Sequence, residues 1–130
     1  MIKLTRFFKK SFLLDNTGRS PAFFSRKKNY LANKKIAREL IKFSKLNNNI
    51  NCRVCLHKTK KDEIHNMIVL LNKKNKSYPH QHYKSEEIYH LISGSVKVFI
   101  YDKKMKLKGI FTLSKKNIIF KVAKKTTHMV

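Results

Sequence analysis

The chain has 130 residues, enough for one domain with a modest core. Its hydrophobic share of 42% argues against wholesale disorder, and no apolar run approaches the roughly 20 residues that span a bilayer. The net charge of +24 is scattered over every segment, and neither an Arg-rich recognition helix nor an aromatic RNA-binding motif accompanies it. We therefore do not expect nucleic acid as a partner, whereas a positive surface favours anionic small molecules such as sugar phosphates.

The first 20 residues form a basic segment with an aromatic stripe. Leu4, Phe7, Phe8 and Phe12 recur at roughly helical spacing with lysines and an arginine between them, which predicts a helix or arm. Two interpretations stay open: contact of the arm with an anionic membrane surface, or packing of the arm on the rest of the domain. The segment has no uninterrupted apolar core and no small-residue cleavage site, so we do not expect a secretory signal.

A second helix is predicted from about residue 23 to residue 46. Tyr30, Ile36 and Leu40 recur among lysines at helical steps, and the run Asn47-Asn48-Asn49 ends the helix as a polar turn. We therefore assign residues 1–50 to an N-terminal basic arm and helix, ahead of a β domain at residues 51–130.

Strands predominate in that second part. Short apolar or alternating runs are separated by turn signals every eight to twelve residues, which is typical of a sandwich or barrel rather than a parallel α/β sheet. Within the predicted strand at 65–71, the residues from Met67 to Leu71 are all apolar, which predicts burial on both faces. The predicted strands cover residues 53–57, 65–71, 80–82, 87–92, 95–101, 105–113 and 117–122.

Two cysteines lie at the start of this β region. Cys52 and Cys55 have the spacing Cys-x-x-Cys, but a zinc knuckle needs a second such pair, and a thioredoxin-like motif needs a helix start after a parallel strand. Both features are missing from the sequence pattern. We expect two core thiols in a protein of the reducing cytoplasm.

The strongest chemical signal is a pair of histidines followed by a glutamate. His80 and His82 are two residues apart and so share one face of a strand, and Glu87 follows after a gap long enough for a tight turn. Two imidazoles and one carboxylate on neighbouring strands form most of a divalent transition-metal site. Glu86 would point to the opposite face from Glu87, so only one of the two can be a ligand.

The spacing His-x-His, four residues, Glu, six residues, Gly resembles the first signature motif of the cupin superfamily. It is made by His80, His82, Glu87 and Gly94, and it selects Glu87 because Glu86 stands one residue too far from the glycine. The resemblance implies a small, jelly-roll-like cupin β-barrel with an N-terminal helical extension. It also implies one divalent metal bound by the two histidines and the glutamate.

The resemblance implies a fourth ligand near the end of the barrel, at His128. In the second cupin motif a Pro and a Gly precede this histidine, whereas Ala123 and Lys125 occupy those positions here. Three imidazoles and one carboxylate suit Fe, Mn, Ni or Zn, and the ligand types alone do not choose among them. Open positions on such a metal would bind vicinal hydroxyls or a carbonyl of a sugar.

A closer resemblance covers about Cys52 to His128. The stretches 52–57, 64–68, 78–82, 85–94 and 98–102 are similar, in this order, to the WbuC-type cupin metalloproteins. That family is associated with bacterial cell-surface polysaccharide (O-antigen) gene clusters, so the resemblance implies a sugar-modifying or sugar-binding protein. By position it also implies four residues that line the pocket or contact the ligands: Arg53, His57, Tyr89 and His90.

Whether the protein is an enzyme stays open at this point. Tyr89 and His57 are the candidates for proton transfer beside the metal. The sequence ends two residues after His128, so the barrel is expected to lack closing strands, and a partner subunit in a homodimer or the N-terminal arm would cover its open edge. The alternatives are a non-catalytic metal-binding, ligand-binding or interaction module, and a degraded, truncated cupin copy.

Overall fold

The structure is a computed structural model that describes all 130 residues. It is mostly β, with 32% strand and 15% helix, as the sequence pattern predicts. The strands form three sheets, none of which closes into a barrel. By internal contacts the chain divides into two compact units, Met1–Asn75 and Lys76–Val130.

The first unit contains both helices and a four-stranded sheet. The strands β1, β2, β3 and β4 lie in this order, with a parallel pair between β2 and β3 and antiparallel pairs on either side. One face of the sheet packs on the helices around a core of aromatic and aliphatic side chains. The elements are α1 (Arg6–Ser11), β1 (Phe12–Asp15), β2 (Ala22–Ser25), α2 (Lys34–Leu46), β3 (Cys52–Cys55) and β4 (Met67–Leu70).

The predicted helix at 23–46 is wrong in nearly its first half, over residues 23–33. Residues 22–25 form β2, because the aromatic side chains after Pro21 suit a pleated surface and the backbone pairs with β3. The helix α2 begins only after Asn33, whose side chain accepts a hydrogen bond from the backbone N–H of Lys35 at 2.9 Å. It ends at the asparagine turn as predicted. Neither α1 nor α2 has the length and apolar character that crossing a bilayer requires.

The N-terminal segment is helical only in α1, and the aromatic stripe continues into β1. Phe8 and Phe12 are buried, and the Phe8 ring stacks on Phe23 with centroids 3.9 Å apart. Phe7 packs on the same core. The aromatic stripe is therefore part of the interior of the first unit, and any contact of this arm with a membrane would have to use its basic side chains.

The prediction that the run at 65–71 is buried on both faces is wrong. Met67 and Val69 are 40% and 47% exposed, whereas Ile68 and Leu70 pack against the core. The reason is that β4 is an edge strand of a sheet that is covered by helices on one face only. Alternate residues of the apolar run therefore face away from the core and are partly exposed.

The second unit consists of two small antiparallel sheets. One pairs β5 (Glu87–His90) with β8 (Ile119–Val122), and the other has the order β7-β6-β9. Val98, Leu113 and Val122 form its core, on which Tyr89 and Leu91 pack. The elements of the second sheet are β6 (Val96–Tyr101), β7 (Leu107–Leu113) and β9 (Thr127–Met129).

The strand predicted at 80–82 is reduced to a single bridge. His80 pairs with His128 in β9, and residues 81–86 form no regular strand. The common face of His80 and His82 therefore does not come from a pleated strand. The strand β9 itself was not among the predicted elements.

Candidate metal centre

The second unit brings together the four residues that the cupin resemblance implies as ligands: His80, His82, Glu87 and His128. Each offers one nitrogen or carboxylate oxygen, and these donor atoms all lie within 4.8 Å of one another. His80 and His82 belong to a connecting segment, Glu87 is the first residue of β5, and His128 is the central residue of β9.

Backbone pairing explains why the cluster includes a residue so distant in sequence. The N–H of His80 donates to the carbonyl of His128 at 2.9 Å, and the N–H of His128 donates back at 2.8 Å. A pair of this kind places the two residues directly opposite each other, and their ring centroids are 4.4 Å apart. The N–H of Lys125 donates to the carbonyl of His82 at 2.7 Å, which holds the neighbouring turn against the same segment.

Two of the imidazoles are oriented in the same way. Nδ1 of His80 lies 3.1 Å from the carbonyl of Tyr78, and Nδ1 of His128 lies 2.9 Å from the carbonyl of Thr126. A carbonyl only accepts, so each Nδ1 carries a hydrogen, and Nε2 is the ring nitrogen that remains to face a metal. A carbonyl that fixes the ring through its other nitrogen is the usual support of metal-binding histidines.

Two imidazole nitrogens, of His128 and His82, lie close to the same carboxylate oxygen of Glu87. Oε2 of Glu87 lies 2.8 Å from Nε2 of His128 and 3.2 Å from Nε2 of His82. Nε2 of His82 is shielded from solvent, yet it has no hydrogen-bond partner, since its contact with Glu87 lacks hydrogen-bond geometry. Lone pairs of nitrogen and oxygen that face each other at this distance repel unless a cation or a proton lies between them.

The donor set fits a divalent transition metal. For bonds of about 2.1 Å, neighbouring ligands of an octahedral ion stand about 3.0 Å apart, close to the two separations from Glu87. Burial is uneven across the cluster. The side chains of His128, Glu87 and His82 are 1%, 29% and 40% exposed, although Nε2 of His82 itself is shielded from solvent.

Tyr89 supports the carboxylate from within the same strand. It lies two residues after Glu87 on the same face of β5, and its hydroxyl donates to Oε2 of Glu87 at 2.8 Å. Burial, and then the charge of Glu87, raise the pKa of the Tyr89 phenol, so the hydroxyl keeps its hydrogen. This shared face follows from strand alternation, and the Tyr89 ring packs inward on the core of the second unit.

Of the other three residues implied by the resemblance, one belongs to the second unit and two belong to the first. His90 is exposed on the opposite face of β5 from Glu87. Arg53 belongs to the first unit, where its guanidinium donates to the Ser20 hydroxyl at 2.7 Å. His57 also belongs to the first unit, where its ring stacks on His65 with centroids 4.3 Å apart. Burial, and then the nearby His65, lower the pKa of His57.

Sequence reasoning missed the two carbonyls that orient the histidines. Tyr78 and Thr126 each stand two residues before the histidine that they support. This equal spacing is the only sign of the two contacts in the sequence. It is a weak sign, because every residue has a backbone carbonyl whatever its type. The turn that brings each carbonyl back to its imidazole becomes visible only in the coordinates.

The two cysteines are core thiols in the structure. Cys52 and Cys55 are buried and unbridged. Burial raises the pKa of both thiols, to about 12 for Cys52. Both side chains are therefore protonated at neutral pH.

One family model matches the chain, over residues 33–113. This range contains His80, His82 and Glu87 of the cluster and ends before His128. Neither the curated proteins nor the solved structures gave a match. Since the family model covers more than half of the sequence, the chain belongs to the family described as a domain of unknown function (DUF6016).

Proposed function

We propose that this protein is a metal-binding cupin that binds or modifies a sugar. The observation that carries the proposal is the convergence of His80, His82, Glu87 and His128, whose donor atoms all lie within 4.8 Å of one another. The composition of the cluster, three imidazoles and one carboxylate, suits a divalent ion of Fe, Mn, Ni or Zn.

The cupin relationship is part of the proposal. It is supported by the order of the motif along the chain and by the antiparallel sheets on which Glu87 and His128 are placed. The sheets do not form a closed barrel. The further step, to a cytoplasmic role in cell-surface polysaccharide synthesis, is supported by the similarity to the WbuC-type sequences.

The chemistry would take place beside the partly exposed side chains of Glu87 and His82 rather than at the buried His128. A divalent metal bound there supplies Lewis-acid polarisation of a hydroxyl or carbonyl oxygen. His128 closes the inner side, and its Thr126 contact keeps the imidazole in one tautomer. The second unit carries 12 lysines against three acidic residues, which favours a ligand that bears a phosphate or carboxylate.

One contact favours ligand binding over catalysis. An enzyme of this type needs a group that exchanges a proton with the substrate. In the second unit Tyr89 is the residue proposed for this role, but its hydroxyl already donates to Glu87. A sugar-binding or ligand-sensing module that uses the metal as an anchor is therefore the second candidate function.

Metal analysis of untagged protein tests the proposal. We expect about one equivalent of a transition metal after exposure to the four ions and gel filtration, and none in a His80→Ala/His82→Ala variant. His90→Ala is the matched control, since His90 lies on the same strand as Glu87 but faces away from it. Equal metal contents in the wild type and the double variant would refute the proposal.

A further inference from the structure

We infer that Tyr89 is a positioning residue that makes Glu87 bind its metal through Oε2 alone and so keeps coordination positions free for a ligand. This inference rests on the proposed metal centre. The observation behind it is that the Tyr89 hydroxyl and the two imidazole nitrogens nearest to Glu87 all meet the same carboxylate oxygen.

The Tyr89 ring is held in place by the fold. In β5 it stands opposite Phe120 of β8, and it packs on the core of Val98, Leu113 and Val122. Its ring centroid is 6.2 Å from that of His128. A phenol fixed in this way delivers its hydroxyl to one point only, and that point is Oε2 of Glu87.

The distribution of contacts on Glu87 is one-sided. Every side-chain hydrogen bond and ion pair of this residue ends on Oε2: one from Tyr89, one with His128 and one with His82. A carboxylate oxygen has two lone-pair directions. One is taken by the phenol, which leaves the other for a cation that the imidazoles share.

This arrangement opposes bidentate binding of Glu87. Both oxygens can face one ion only if the carboxylate turns about its terminal bond, and that rotation carries Oε2 away from the fixed phenol. The rotation would therefore break a hydrogen bond to a charged, partly buried group, which is among the stronger hydrogen bonds in proteins. With Glu87 held to one bond, the four residues supply four donor atoms, and a six-coordinate ion keeps two positions for a ligand.

Tyr89→Phe tests the inference, because it removes the hydroxyl and keeps the ring that packs on the core. We expect the affinity for Co²⁺ to fall about 10–100-fold, measured by competition with a chelator. We also expect a changed visible spectrum of the Co²⁺ protein, and fewer exchangeable waters on bound Mn²⁺ by water-proton relaxation. The matched control is Tyr30→Phe in the first unit, a partly buried tyrosine whose ring packs on Phe12.

A second variant separates positioning from a general structural effect. Glu87→Gln presents a single amide oxygen and so removes the choice between one-atom and two-atom binding. We expect Tyr89→Phe to lower Mn²⁺ hydration in the native background but not in the Glu87→Gln background. Equal losses in both backgrounds, or an unchanged spectrum and affinity in Tyr89→Phe, would overturn the inference.

The two proposals fail in different ways. If the wild-type protein binds neither Co²⁺ nor Mn²⁺, the metal centre is refuted and the role of Tyr89 falls with it. If the wild type binds both ions and Tyr89→Phe binds them with the same affinity, spectrum and hydration, only the role of Tyr89 is refuted. Near-ultraviolet circular dichroism of the metal-free variants shows whether each one is folded.

Discussion

His80 and His128 are paired by two backbone hydrogen bonds, of 2.9 and 2.8 Å, although they stand near opposite ends of the sequence of the second unit. The pairing fixes the register of β9, and it sets the two imidazoles side by side. Backbone hydrogen bonds between distant segments therefore help to arrange the candidate site.

Among the four residues of the cluster, His128 has the most restrained side chain, because it is buried and its Nδ1 donates to the carbonyl of Thr126. We expect His128→Ala to weaken Co²⁺ or Zn²⁺ binding by at least about 100-fold, more than the loss of a supporting contact costs. Isothermal titration calorimetry on metal-free protein measures the affinity. Wild-type affinity in this variant would show that His128 is not a ligand.

Metal binding should stabilise the fold, because the four donors come from separate segments that meet only in the folded chain. At a free ion concentration of 100 times the dissociation constant, we expect the free energy of unfolding to rise by about 2.7 kcal/mol. Thermal unfolding with and without Zn²⁺, and after a chelator is added, measures the change. A His80→Ala/His82→Ala variant that gains as much stability as the wild type would contradict a specific site.

His57 should make the stability of the protein depend on pH. Its pKa is lowered in the folded state by burial and by His65, so the unfolded chain binds more protons than the folded one near pH 6. The contribution of His57 to the free energy of unfolding is fully present above the ordinary histidine pKa, near 6.5. It is lost as the pH falls through the lower pKa that His57 has in the folded protein. Urea unfolding of the wild type and of His57→Gln at several pH values measures how the free energy of unfolding changes with pH in each protein. The same pH dependence in both proteins would contradict this role of His57.

The buried cysteines should be inert in the folded protein. Because burial raises the pKa of Cys52 to about 12 and also raises that of Cys55, almost no thiolate is present at pH 7. We expect a thiol reagent to modify neither residue within minutes under native conditions and both residues at once in urea. Rapid reaction of the native protein would show that this part of the sheet opens readily.

Phe8 tests the role of the N-terminal arm. Its ring is buried and stacked on Phe23, so Phe8→Ala should cost about 3–5 kcal/mol in the free energy of unfolding. Leu31→Ala is the matched control, since Leu31 is largely exposed and its truncation should change stability little. Urea unfolding compares the two variants. Equal small effects would mean that the arm does not pack on the first unit.

The strands β3 to β8 were predicted, because their short apolar runs are separated by clear turns, whereas β1, β2 and β9 were not. The start of α2 was misplaced because the aromatic residues of β2 fit a helical spacing as well as a strand. Tertiary pairing with β3 decided between the two. The exposure of Met67 and Val69 depends on which face of the sheet the helices cover, which a local run of apolar residues does not encode.

The four residues of the cluster could be identified from the spacing of the motif, since side chains able to bind a metal are of recognisable types. The directions of their side chains could not be predicted from the sequence. The inward direction of His80 and His128 is set by the carbonyls of Tyr78 and Thr126, and the one-sided contacts of Glu87 are set by Tyr89. These supports depend on backbone turns and packing rather than on the identity of neighbouring residues.

The parallel pair between β2 and β3 has a practical consequence for work with shortened forms of the protein. A fragment that starts at residue 51 would lose β2 and α2 and leave one side of β3 without a partner. Cys52 and Val54, which these elements cover, would then meet water. Such a fragment should precipitate on expression, so shortened versions need the first 50 residues.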